Sequence, residues 1–129
     1  MGRAAVADTS IFIARESARP LDLGLLPDEL AISVITVGEL RAGVLAAEDS
    51  RTRVRRLDTY RRALSFDPVP IDESIAESWA NLRVLLREAG ARMAINDSWI
   101  AATALALDLP LVTQDDGYVG LEELQVIRV

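Results

Sequence analysis

The stretch "VADTSIFIA", residues 6–14, decides how the rest of the chain is read. An apolar run ends on Asp8, Thr9 and Ser10 follow, and apolar residues then recur at helical spacing. Residues 4–8 read as a buried strand and residues 10–17 as a short helix. A carboxylate at that junction has two explanations. Asp8, with Thr9 and Ser10 beside it, can cap the helix. It can also hold something beyond the carboxyl end of the strand, where open parallel sheets bind their ligands. The choice depends on whether other acids join it.

Working outward, strands and helices alternate. "LAISVI" (30–35) is rich in β-branched residues and predicts a second strand. A helix follows from Thr36 to about Ala47, with Val37, Leu40 and Val44 as its apolar stripe. Residues 50–65 predict another, with Val54, Leu57 and Leu64 inward and Arg51, Arg55, Asp58 and Arg62 on the outer face. "PVPI" (68–71) reads as a short strand. Asp72 reads as the N-cap of a helix through Ala89, striped by Ile75, Trp79, Leu82 and Leu85 or Leu86, with Gly90 as its stop. "NDSWIAATALALD" (96–108) is apolar on nearly every side after Ser98, which marks a buried helix. "LPLVT" (109–113) is a strand, "QDDGY" (114–118) a turn and "LQVIRV" (124–129) a last strand. The pattern predicts one α/β domain over residues 1–129, a mainly parallel sheet of four to five strands flanked by helices.

Composition narrows the chemistry. The chain has neither cysteine nor histidine, so disulfides, thiolate metal sites, serine–histidine triads and most zinc sites are excluded. All 14 basic residues are arginine, and the net charge is −6. That balance argues against a general nucleic-acid coat, yet a nuclease with a metal site and a local basic patch is compatible with it. No apolar stretch approaches a membrane span, and no signal-peptide pattern opens the sequence; a cytoplasmic protein is expected.

The acids fall at strand ends. Asp8 closes the first strand, Asp115 and Asp116 follow the strand ending at Thr113, Asp97 opens the buried helix, and Glu39 sits one turn into the helix after the second strand. Each has an ordinary explanation: a cap for Asp8 or Asp97, a solvated face for Glu39, turn chemistry for "DDG". Together they could meet at one edge of the sheet. Carboxylates gathered within a few ångströms must protonate or bind cations. All-oxygen sites suit Mg²⁺ or Mn²⁺, which can activate water and stabilise the leaving oxygen of a phosphodiester.

Four stretches, "VADTSIFIA", "ISVITVGELRAGV" (32–44), "NDSWIAATAL" (96–105) and "LPLVTQDDGY" (109–118), in this order and at these separations, resemble the PIN-domain ribonucleases, specifically the VapC-type toxins of bacterial toxin–antitoxin pairs. The resemblance covers essentially the whole chain. Carried over, the family's acids fall on Asp8, Glu39, Asp97 and Asp115, with Asp116 adjacent to the last and able to compete. Thr9, Asn96 and Thr113 fall on positions that support the site. The resemblance implies Mg²⁺-dependent cleavage of RNA, with Mn²⁺ as a substitute, a homodimer, and a cognate VapB-type antitoxin covering the active site. For steering the RNA backbone, Arg41 and the face bearing Arg51, Arg55 and Arg62 are candidates, although the latter three also suit a salt-bridged solvent face through Asp58. The segment 12–26 and the helix after Thr36 offer apolar surface for partners.

Two rivals stand beside this reading. Aspartyl phosphatases and response-regulator receivers also place acids at strand ends. Both normally need a lysine, and this chain has none; the phosphatase's second acid would fall on Ser10. The other rival is a PIN-like fold kept as a catalytically silent binding module.

Overall fold

The computed structural model describes residues 3–118 and 121–129. Four strands, β1 (Ala4–Ala7), β2 (Glu29–Ala31), β3 (Leu111–Thr113) and β4 (Val126–Arg128), form one sheet in the order β2-β1-β3-β4. Every pairing is parallel, and the registers set Val6 beside Ala31 on one side and beside Leu111 on the other. Helices α1 (Thr9–Glu16), α2 (Val34–Ala46), α3 (Ser50–Leu64), α4 (Glu73–Glu88) and α5 (Ile95–Leu107) supply the crossovers.

The two-residue period of the strands sorts the core into two halves. Val6 and Leu111 point to one face, where Leu82 and Leu86 of α4 and Ile100, Ala101 and Ala104 of α5 cover them. Ala5, Ala7 and Val112 point to the other, against Ile11 and Phe12 of α1, Ile32, Leu40 of α2 and Ala63 of α3. Ala101 and Ala104 add little bulk on that face, where Ile100 is the large side chain of α5. The connection after β1 leads to β2 on one side, while β3 adds on the other. The crevice beyond β1 and β3 is therefore a topological switch point, where such sheets bind ligands.

Several elements differ from expectation for identifiable reasons. The second strand ends at Ala31, because the Ser33 hydroxyl accepts the Ile35 amide at 3.0 Å and starts α2 at Val34. Capping and burial thus override the β propensity of Val34 and Ile35. "PVPI" is no strand: only a bridge from Val69 to Ser33 forms, since the flanking prolines have no amide to donate. Val54 and Leu64 do not face inward on α3; they are exposed, and Thr59 and Ala63 make its buried face. Asp97 is not a cap, because α5 already begins at Ile95 behind Ala94. Among the described residues, no helix is long and apolar enough to cross a membrane.

Candidate active site

Asp8 is a helix cap, and it also stands at the carboxyl end of the strand. It is the N-cap of α1, accepting the Ser10 amide at 3.3 Å. It is also buried at 1% exposure at the end of the central strand, with both carboxylate oxygens engaged. Oδ2 accepts the Thr113 hydroxyl at 2.9 Å and Oδ1 accepts the Tyr118 hydroxyl at 2.7 Å. With its one proton given to Asp8, Thr113 can only accept from Ser10 Oγ at 3.2 Å and from the Asp115 amide at 3.0 Å. The Gln114 amide in turn donates to Ser10 Oγ at 2.9 Å. Hydroxyls thereby tie the ends of β1 and β3 together and hold the Asp8 carboxylate in one orientation.

Glu39 is fixed from the other side. Thr9 donates to its Oε1 at 2.7 Å, so the contact between Thr9 and Thr36, 2.9 Å, is a donation from Thr36. Asp97 stands in the first turn of α5, where the helix dipole favours negative charge. Its Oδ1 lies 3.5 Å from the Tyr118 oxygen that bonds Asp8. Burial, and then the charges of Asp8, Glu39 and Asp115, push the Asp97 carboxyl up to about 6. Asp115 is raised too, by burial and by Asp8, with Arg19 and Arg128 opposing. Asp116 turns the other way, exposed and ion-paired to Arg128. Of the two neighbouring aspartates, Asp115 is the one that joins the other acids.

Asp8, Glu39 and Asp115, from three separate segments, therefore come within electrostatic reach of Asp97, with Thr9 bonding Glu39 and Thr113 bonding Asp8. Asn96 is exposed on the rim and lines a groove with Ile35, Gly38, Glu39 and Ala42. Arg41 does not join the cluster. Two residues after Glu39, about 200° around the helix, its guanidinium lies 5.6 Å from the Tyr60 ring on α3. Arg55 pairs with Glu16 and Arg62 with Asp58, so these two are held on a solvent face.

Sequence reasoning missed Tyr118. Its ring is buried, and burial together with the Asp8 carboxylate holds the phenol protonated, well above its usual range. The available signal was an aromatic closing "QDDGY" beside two aspartates, a place where turn chemistry calls for polar or small residues. Tyr118→Phe is expected to destabilise the metal-free protein by about 1 kcal/mol, because a buried carboxylate loses a donor. Urea unfolding checks this, and an unchanged midpoint would show that the hydroxyl contributes nothing.

A family model described as PIN domain matches residues 5–124. The chain belongs to the PIN domain family. This PIN domain is 46% identical over 129 residues to ribonuclease VapC5 of Mycobacterium tuberculosis, covering 98% of this chain and 96% of that one. It is also 46% identical over 127 residues to ribonuclease VapC4 of the same organism, with 98% of each covered. Among solved structures, the VapBC-5 toxin–antitoxin system of M. tuberculosis superimposes with a TM-score of 0.89 at 44% identity, covering 98% of both chains. The PIN topology removes the receiver and aspartyl-phosphatase alternatives.

Proposed function

We propose that this PIN domain is a metal-dependent ribonuclease of the VapC toxin type, restrained by a VapB-type antitoxin. The observation that carries the reading is the approach of Asp8, Glu39 and Asp115 to Asp97, whose carboxyl is raised to about 6 by burial first and then by these charges. Its relatives' names, ribonuclease VapC5 and VapC4, support the same chemistry.

The donor set fits a hard divalent cation: all ligating atoms are carboxylate oxygens, and their mutual repulsion is what a cation relieves. Among the described residues, no three acids stand close enough to be gripped by one ion. Mg²⁺ makes no such demand, since it keeps several waters and binds through one or two carboxylates. Asp8 and Asp97, linked by the Tyr118 hydroxyl, are the pair that would hold it, and Glu39 and Asp115 would complete the shell through water. Mn²⁺ would substitute. When bound, such an ion supplies charge neutralisation at the phosphoryl oxygens and acidifies water.

The chain's own residues do the rest. Thr113 and Tyr118 hold Asp8 in one orientation, and Thr9 does the same for Glu39. An ionised carboxylate of the set accepts the proton of the water that attacks phosphorus in line. Exposed Ile13, Leu23 and Leu25 give apolar surface for a partner chain, whether antitoxin or a second copy in a homodimer. The cytoplasm is the compartment where such a toxin would find both RNA and its antitoxin.

Sequencing of RNA ends after induced expression tests the reading. Wild type should generate a discrete set of new ends, absent with Asp97→Asn and absent when a cognate antitoxin is co-expressed. The same ends from both chains would exclude catalysis by this site.

A further inference from the structure

An acidic chain that cuts RNA needs a local cation surface, and the arginines on α2 and α3 do not provide one beside the acids. We infer that the RNA backbone is held instead in the cleft formed by Arg83, Arg87 and Arg92 where α4 turns into α5. This inference rests on the ribonuclease reading and assigns the site its substrate-holding surface.

The cleft has a volume of about 480 Å³ and is lined by these three arginines with Leu86, Ala91 and Met93. Arg83 and Arg87 are one helical turn apart on α4, and Arg92 faces them from the following loop. All three are exposed. Among the described residues, none of their guanidiniums pairs with a carboxylate, whereas Arg55, Arg62 and Arg128 all do. Three unpaired cations around one concavity, on a chain of net charge −6, make a local anion site rather than a general basic surface.

Arg83 is preorganised. Its guanidinium lies 5.3 Å from the centroid of the Trp79 ring, and Trp79 stacks on Trp99 at 4.4 Å with the planes 4° apart. The Trp79 indole N–H donates to Ser98 Oγ at 2.9 Å, locking the ring. A guanidinium held against an aromatic ring still has N–H groups to offer phosphate oxygens, and holding it there lowers the entropy cost of binding.

The cleft also adjoins Asp97 along the chain. Met93, on its wall, precedes the start of α5 by two residues, and Asp97 follows that start by two. A strand whose scissile phosphate lies at Asp97 runs round the N-terminal turn of α5 into the arginines. A two-fold contact between copies centred here would instead set these cations against their own counterparts, which favours a polyanion as the occupant.

The test uses the full chain carrying Asp97→Asn, which keeps the probe uncut, with a fluorescein-labelled single-stranded RNA 12-mer of mixed sequence. Anisotropy titrations run across salt concentration. R83A/R87A/R92A is expected to lower affinity roughly tenfold and to flatten the log–log salt slope by about 2, the loss of three single-strand phosphate contacts. R83K/R87K/R92K should keep most of the slope, and Arg61→Ala, which removes one exposed charge on α3, should leave it unaltered. Circular dichroism checks folding, and Arg87→Glu alone, at an exposed position, stands in if the triple variant is destabilised. Parent-like affinity and slope in the alanine variant would overturn the cleft while leaving the ribonuclease reading intact. So would a change only in sedimentation, which would make this face an interface between copies. An Asp97→Asn chain that binds no RNA, together with a wild type that cuts none, would remove both.

Discussion

Asp97→Asn is expected to reduce RNA cleavage by about 10²–10⁴-fold while leaving the metal-free protein as stable as its parent or more so. The reasoning starts from the crowding of like charge. Asp97 titrates at about 6 because it is partly buried and faces Asp8, Glu39 and Asp115. Its ordinary value, and so its value in the unfolded chain, is 3.8. The folded state therefore holds the proton more tightly than the unfolded state between those two values. Stability from this group is fully present below pH 3.8, falls as pH rises through about 6, and is flat above. An amide of the same shape removes both the repulsion and that pH dependence. Melting curves from pH 4 to 8 check it: the parent should lose stability across the window and the variant should lose less. A variant that fails to fold would show that Asp97 is needed structurally in the first turn of α5. A variant that folds and still cuts RNA would remove Asp97 from the catalytic set.

The second large effect is stabilisation by the cation itself. Ligand that binds only the folded chain adds about 2.7 kcal/mol at a hundredfold excess over its Kd. For a domain of this size that raises Tm by roughly 10 °C. The binding competes with the proton on Asp97, so the Mn²⁺-induced shift should be small at pH 5 and should grow through about pH 6 as that carboxyl ionises. Differential scanning fluorimetry with MnCl₂ against EDTA at each pH measures it. Asp97→Asn should shrink the shift at pH 7.5. An equal shift in parent and variant would mean that Mn²⁺ binds elsewhere, and no shift in the parent would mean that the crevice does not capture it.

The parts of the fold legible in the sequence are those where one residue type dominates its surroundings. The apolar run before Asp8, the all-apolar helix after Ser98 and the cap at Asp72 set their elements by themselves. The start of α2 was not legible, because a β-branched run looks extended until the Ser33 cap and the burial of Thr36 and Leu40 are known. Val54 and Leu64 misled because helical spacing gives a stripe without saying whether anything covers it. At the site, the acids announce themselves by standing at strand ends, while their supports require distance. That Thr113 bonds Asp8 across 105 residues, or that Asp115 rather than Asp116 turns inward, follows only from how the last turn packs. Tyr118 was hidden for the same reason, since its partner stands 110 residues earlier.

Those separations have a consequence during synthesis. Asp8, just after β1, leaves the ribosome early, yet Thr113 and Tyr118 follow it by 105 and 110 residues. Until β3 slots in beside β1, no nascent polypeptide carries a complete cutting apparatus. Assembly of the acidic site is thus postponed until Thr113 and Tyr118 have been made and folded against Asp8.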